Sequence, residues 1–246
     1  MLITLDNGWY CYNNGRKWRL KPPYYLCEVD TENNIPSYDK YSNIISKIRR
    51  IKSFYSGRLN FGTLDQNGNG IDIMVANAFT ESLGTVPSPL DYKDLLNVYN
   101  NSNQTDEGDR LNEVVRYIAS RKDSHYLERR EPGYINPILT PNKISLGSHH
   151  MLISTALSLF KDAKGSKTQK IIELCFSLPS QSIRSAQLAI DYLNKNYQKH
   201  LNHPPLIAAT YNAGSPRYTN SNSWKLVQYG EHIDRWIAYY NTSRKC

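Results

Sequence analysis

The sequence predicts a mostly α-helical protein with a small β-hairpin-like segment at its N-terminus. Apolar residues recur at the helical spacing of three and four positions through much of the 246-residue chain. Residues 1–35 differ, because two aromatic-rich segments there flank Asn14-Gly15, a strong signal for a hairpin turn. We therefore predict an N-terminal segment, residues 1–35, and a helical domain, residues 36–246. The segment either packs on the helical domain or serves as an appendage that docks or stacks on sugars.

The composition is that of a folded globular protein. Hydrophobic residues make up 39% and charged residues 21% of the chain. No apolar run approaches the roughly 20 residues that span a bilayer. The cysteines lack the spacing of a metal site, and we expect neither a metal nor a cofactor. Cys11 and Cys27 could pair in an oxidising compartment, whereas Cys175 is expected to be a buried free thiol.

The first helices follow residue 36. Residues 43–55 place Ile44, Ile48, Ile51 and Tyr55 on one stripe. The stretch DQNGNGID, residues 65–72, is similar to the start of a calcium loop but has Ala76 at the twelfth position. We interpret it as a turn that begins the next helix.

That next helix, residues 71–82, presents an apolar stripe with Glu81 at its border. Ile71, Met74, Val75, Ala78, Phe79 and Ser82 follow the helical period. Burial at such a border raises the pKa of a carboxyl, so Glu81 is a candidate proton donor. The alternative is an ordinary solvated glutamate one turn before Gly84.

The rest of the chain predicts an insertion followed by closely spaced helices. Residues 84–143 are polar and contain one predicted helix, with Leu111, Val114, Val115 and Ile118 on its face. Helices are then predicted over 150–160, within KIIELCFSL, over 182–197, after Pro205 and over 231–240. The helix after Pro205 ends in Tyr211-Asn212-Ala213-Gly214, which is either a glycine cap or a polar pair presented at a helix end.

Three stretches, in this order, resemble the soluble lytic transglycosylases, relatives of goose-type lysozyme. They are AFTES, ending in Glu81-Ser82, then ISLGSHHMLISTA, residues 144–156, and ATYNAGS, residues 209–215. The family has a catalytic Glu-Ser at a helix end, an S-x-G-L-M-Q stretch with a Thr-Ala tail, and a Tyr-Asn-Ala-Gly segment. The resemblance implies a lysozyme-like helical domain that cleaves peptidoglycan.

The second stretch also departs from the family pattern. Ser145 and Gly147 are retained, but the usual Leu, Met and Gln positions hold Ser148, His149 and His150. Because adjacent residues on a helix point in different directions, only one histidine can face a cleft, and His150 is the candidate substrate contact.

The resemblance implies a role for each matching residue. Glu81 is the catalytic acid and base, and Tyr211 orients it through a hydrogen bond. Asn212 contacts the amide group of the sugar. The candidate substrate-binding residues are Ser82, Ser145, Gly147, His150, Tyr211 and Asn212. Glu81 alone could protonate the leaving oxygen and then deprotonate the C6 hydroxyl, which closes a 1,6-anhydro ring.

Other functions remain open at this point. A hydrolytic muramidase needs a second carboxylate placed for water, roughly 6.5–9.5 Å away in an inverting enzyme. Glu131 is the candidate, although it could instead be a solvated surface charge. A non-enzymatic alternative is a wall-binding or phage-tail structural protein on a decayed lysozyme scaffold.

The resemblance to peptidoglycan-cleaving enzymes implies a site of action in the bacterial envelope. The net charge of +8 favours anionic partners, but zinc-finger spacing and an arginine-rich arm are lacking, so we expect no specific nucleic acid. The first 15 residues do not read as a Sec-type signal peptide. We therefore expect delivery to the envelope by phage lysis, by a virion or by a secretion system, with delivery machinery or an immunity protein as further partners.

Overall fold

The computed structural model describes residues 3–4, 9–11, 17–19, 38–82, 90–120, 145–160, 165–197, 204–213 and 230–246. The strands are β1 (Ile3–Thr4), β2 (Trp9–Cys11), β3 (Lys17–Arg19), β4 (Ser145–Leu146) and β5 (Met151–Leu152). The α-helices are α1 (Tyr38–Tyr55), α2 (Gly70–Ser82), α3 (Tyr92–Asn100), α4 (Glu107–Ser120), α5 (Ile153–Leu159), α6 (Lys167–Ser180), α7 (Ser182–Tyr197), α8 (Pro204–Ala213) and α9 (Gly230–Lys245). The prediction of a mostly α fold is confirmed.

The chain divides into two compact units. The first unit comprises Met1–Gly84 and Leu193–Cys246, and the second comprises Thr85–Tyr192. The predicted boundary between residues 35 and 36 stays a prediction.

The N-terminal strands form a three-stranded antiparallel sheet in the order β1-β2-β3. In the β2–β3 pair, Tyr10 lies opposite Trp18. In the β1–β2 pair, Ile3 lies opposite Cys11. The two segments that flank Asn14-Gly15 therefore pair as the turn signal predicts, although the turn itself and Cys27 lie outside the described residues.

Helix α2 is the centre of the first unit. All of its residues except Ile71 and Glu81 are buried. Helices α1, α8 and α9 each contact it, with α9 making the longest contact. The residues of the predicted stripe are buried except for half-buried Ile71, and neighbours on other sides of the helix also bury Asp72 and Asn77.

The start of α2 shows why its sequence forms a turn there. The Oδ1 atom of Asp65, at the end of a 3₁₀ turn (Gly62–Asp65), accepts a hydrogen bond of 2.7 Å from the backbone N–H of Gly70. A carboxylate at a helix N-terminus satisfies a free donor and interacts favourably with the helix dipole. DQNGNGID thus begins a helix, as predicted.

Helices α1, α2 and α9 are connected by buried polar contacts between Lys52, Asp72 and Ser243, called here the joint at Asp72. The Asp72 carboxylate lies 2.8 Å from Lys52 Nζ and accepts a hydrogen bond of 2.6 Å from the Ser243 hydroxyl. Lys52 also donates to the Ser243 carbonyl at 2.7 Å. A buried carboxylate is favourable only when it is paired and hydrogen-bonded, and these contacts supply both kinds of partner to Asp72.

The second unit contains helices α3 to α6, most of α7 and the β4–β5 hairpin. The predicted face of α4 is confirmed, since Leu111, Val114, Val115 and Ile118 are all buried. Helix α3, which begins at the N-cap Asp91, was not predicted. Cys175 is buried in α6 as a free thiol, as expected, and its burial raises the thiol pKa to about 12.

The structure corrects the helix predicted from His150 to Phe160. Met151 and Leu152 instead form β5, which pairs with β4, and the helix begins only at Ile153. The backbone N–H of His150 donates to the carbonyl of Gly147 at 3.0 Å and closes the turn of this hairpin. His149 and His150 therefore lie in a turn, and the interpretation of both as helical residues is wrong.

Candidate active site

Glu81 lies at the C-terminal end of α2, next to the buried core of the first unit. Only 10% of its side chain is exposed. Its neighbours Thr80 and Ser82 are buried, and each hydroxyl donates to a backbone carbonyl one turn earlier in the helix. Glu81 is thus a largely buried carboxyl in the last turn of α2. Its burial agrees with the sequence, which placed it at the border of the apolar stripe. The substrate contact predicted for Ser82 stays a prediction.

His232, in the first turn of α9, faces Glu81. Its Nε2 atom lies 3.8 Å from Glu81 Oε1, and 13% of the His232 side chain is exposed. The ring also makes a hydrogen bond with the backbone of Ala208 in α8. Since this bond favours the protonated ring, the imidazole is the donor and the Ala208 carbonyl is the acceptor. One side chain therefore joins the end of α2 to α8 and α9.

The pair is not an ordinary ion pair. Burial lowers the pKa of His232 to about 4, with a smaller contribution from the positive charge of Arg235. The bond to Ala208 acts in the opposite direction and does not compensate. The imidazole is therefore neutral near pH 7, and the 3.8 Å contact joins an uncharged ring to a carboxyl group.

Tyr211 and Asn212 lie in the last turn of α8, in the same unit as Glu81. Tyr211 is half-buried and Asn212 is exposed, whereas the preceding residues 206–210 are buried. Helix α8 contacts α2, and its Ala208 carbonyl accepts the hydrogen bond from His232. The helix ends at Ala213, as predicted, and Gly214 lies outside the described residues. The hydrogen bond from Tyr211 to Glu81 stays a prediction.

Ser145, Gly147 and His150 belong to the hairpin of the second unit. Ser145 is buried in β4 opposite Leu152, and His150 is half-buried at the end of the turn. His150 has a φ of +42°, which is rare for a residue other than glycine. His149 is fully buried, and burial, followed by the charge of His150, lowers its pKa to about 3. Their roles toward substrate stay predictions.

Gly147 is the position in this hairpin that only glycine can occupy. Its φ is +81°, and a Cβ atom there would overlap the carbonyl oxygen of Leu178 and lie 3.0 Å from the Ser185 hydroxyl. The glycine that the sequence shares with the transglycosylase pattern thus has a packing role in this chain.

Glu131 lies outside the described residues, as does the Pro132 that follows it. The second carboxylate needed for hydrolysis therefore stays a prediction. In the described part of the chain, no cluster of three or more His, Cys, Asp or Glu side chains is placed to hold a metal ion.

Comparison with known proteins adds no relative. No protein-family model, no curated protein and no solved structure matches the chain. The helices in the described ranges include none that is both long and apolar enough to cross a membrane.

Sequence reasoning missed His232. The available signal was its register in the last helix, where His232, Trp236 and Tyr240 follow one another at four-residue spacing. A histidine in line with two buried aromatic residues is expected to point toward the core, so its ring needs a polar partner there.

Proposed function

We propose that the protein cleaves the β-1,4 bond between N-acetylmuramic acid and N-acetylglucosamine in bacterial peptidoglycan, by transglycosylation without water. One observation carries this proposal: the largely buried Glu81 carboxyl faces a neutral imidazole at the end of a core helix. Removal of water disfavours a charged carboxylate, so such a group is suited to carry a proton to a glycosidic oxygen. The order of the three motifs supports peptidoglycan as the substrate.

The reaction requires one group that gives and then takes a proton. Glu81 donates its proton to the O4 atom of the leaving N-acetylglucosamine while the bond between C1 and O4 breaks. The resulting carboxylate removes the proton from the C6 hydroxyl of the muramic acid, and O6 bonds to C1. Glu81 regains its proton, and the products carry a 1,6-anhydro end and a free 4-hydroxyl group.

The polar residues of α8 complete the proposed site. Asn212 is exposed at the helix end and is available to bond the acetamido group of a sugar. Tyr211 is half-buried beside it and is proposed to orient Glu81. The net charge of +8 favours approach to an anionic cell wall. The proposed site of action is the bacterial envelope.

Replacement of Glu81 tests the proposal. Glu81→Gln keeps the shape of the side chain but cannot donate an acidic proton, so the rate of turbidity loss of purified cell walls should fall at least a hundredfold. Glu173→Gln is the matched control, because Glu173 is a half-exposed helical glutamate that pairs with Arg184. It should cleave walls at the wild-type rate, and circular dichroism should show both variants folded. A folded Glu81→Gln variant with wild-type activity would overturn the proposed function.

A further inference from the structure

We infer that His232 is a positioning residue for Glu81 and that its Nε2 atom accepts a hydrogen bond from the protonated Glu81 carboxyl. This inference rests on the proposed function. It also rests on three observations about one ring: its distance to Glu81, its bond to Ala208, and a buried nitrogen that still lacks a hydrogen bond. The Nε2 atom has no hydrogen-bond partner among the described residues, and the oxygen it faces is Glu81 Oε1.

The bond to Ala208 sets the tautomer of the ring. Because Nε2 makes no hydrogen bond, the nitrogen that donates to the Ala208 carbonyl is Nδ1. A neutral imidazole carries one N–H and one lone pair, so protonation at Nδ1 leaves the lone pair on Nε2. The group that faces the Glu81 carboxyl is therefore an acceptor, and an acceptor attracts the protonated form of that carboxyl.

The distance between Nε2 and the Glu81 carboxyl is close to that of a hydrogen bond but does not reach it. At 3.8 Å the two atoms are farther apart than in a hydrogen bond. Catalytic hydrogen bonds are often long before substrate binds and shorten in the complex. The inference requires the Glu81 carboxyl to approach Nε2 when substrate binds. The proton is then held on one carboxyl oxygen until the glycosidic oxygen takes it.

The charges around His232 predict how pH acts on the pair. Glu81 faces the ring from α2, Arg235 acts from its own helix, and α8 supplies the Ala208 carbonyl. The ring stays neutral until the pH falls to about 4, where Nε2 takes a proton and loses its lone pair. Activity should therefore fall as the pH drops through about 4, and this acid limb belongs to His232.

Two substitutions distinguish the role of Nδ1, which bonds Ala208, from the role of Nε2, which faces Glu81. In His232→Asn, the amide nitrogen can keep the bond to Ala208, but the shorter side chain places no acceptor at the position of Nε2. In His232→Gln, the longer side chain can bring an amide oxygen to the position of Nε2. On purified cell walls we expect His232→Asn to lower kcat by about ten- to a hundredfold with KM unchanged, and His232→Gln to restore part of kcat. Both variants should lack the acid limb.

Arg235→Gln is the matched control for the pH effect. It removes an exposed charge that lowers the His232 pKa and leaves the ring in place. The acid limb should move to higher pH while kcat at pH 7 stays at the wild-type value. If His232→Asn keeps the wild-type kcat and acid limb while Glu81→Gln is inactive, the inference is wrong and the proposed function stands. If Glu81→Gln is fully active, the proposed function itself fails.

The tautomer can be measured without any activity. Nitrogen-15 NMR of histidine-labelled wild-type protein at pH 6 should show a neutral His232 ring protonated at Nδ1, with the signal assigned by its loss in His232→Asn. Glu81→Gln should shift the Nε2 resonance, because the neighbouring group changes. A ring that is charged at pH 6 or protonated at Nε2 would overturn the inference even if the wall assay agreed with it.

Discussion

At the scale of single residues, we expect the addition of one methyl group at Gly147 to destabilise the fold strongly. Gly147→Ala places a Cβ atom against the carbonyl of Leu178 and holds alanine at a φ of +81°. Backbone cannot move aside as a flexible side chain can, so we expect a loss of at least about 2 kcal/mol in the free energy of unfolding. Urea denaturation followed by circular dichroism measures this loss.

Gly57 provides the control for this prediction. It has a similar φ of +69°, but a Cβ atom there would meet nothing within 4 Å. Gly57→Ala should therefore cost only the conformational term, about 1 kcal/mol. Equal losses for the two variants would show that the contact with Leu178 does not limit residue 147.

Glu81 and His232 differ in how much of their environment could be predicted from the sequence. The burial of Glu81 could be predicted because its helix carries apolar residues at the helical spacing and the carboxyl lies at their border near the helix end. The contacts of His232 could not be predicted, because its bond to Ala208 and its proximity to Glu81 are both long-range. The pattern of residues within one helix indicates which face a side chain lies on, but not which residues of other helices it contacts.

At the scale of elements, the joint at Asp72 should hold α1, α2 and α9 together. Lys52→Met keeps most of the apolar stem but leaves the Asp72 carboxylate with the Ser243 hydroxyl and without its cation. An incompletely paired buried carboxylate is unfavourable, so we expect a loss of about 1–3 kcal/mol in the free energy of unfolding. Lys47→Met on the exposed side of α1 is the control and should stay within about 0.5 kcal/mol of wild type. A similar, small effect for both variants would show that the joint adds nothing to stability.

Helices with one buried face were the elements that the sequence predicted best. The stripes of α1 and α4 were found because solvent lies on their other side, which keeps the pattern periodic. Helix α2 has small residues such as Ala76 and Ala78, which let neighbours approach from several sides and erase the one-sided pattern. Helix α3 was not predicted because Leu95 is its only buried residue, so its sequence shows no apolar stripe.

The β4–β5 hairpin was mistaken for the start of a helix for a different reason. Each strand has two residues, too few for an alternating pattern to be visible. The hairpin instead depends on the positive φ angles of Gly147 and His150 and on the hydrogen bond between them. Histidine adopts a positive φ more often than most residues other than glycine, but that preference is too weak to predict the conformation of His150 from its residue type.

At the scale of the whole molecule, the net charge concerns which substrates can bind, and the division into two units shows which proposed site residues share a unit. A charge of +8 favours binding to any polyanion, so it supports a cell-wall substrate without selecting the reaction. Glu81, His232, Tyr211 and Asn212 all belong to the first unit, whereas Ser145, Gly147 and His150 belong to the second. The proton-transfer chemistry proposed for Glu81 needs groups of the first unit alone.

The product released by the intact protein decides between the two reactions that Glu81 could catalyse. A single acid and base gives fragments that end in 1,6-anhydromuramic acid, one water lighter than the reducing ends that hydrolysis leaves. We expect mass spectrometry of digested cell walls to show mainly anhydro ends, since the proposed reaction uses Glu81 alone as acid and base and needs no water-activating carboxylate. Glu131→Gln should then leave both rate and product unchanged. Reducing ends that dominate in the wild type and disappear in Glu131→Gln would instead identify a hydrolytic muramidase with Glu131 as its second carboxylate.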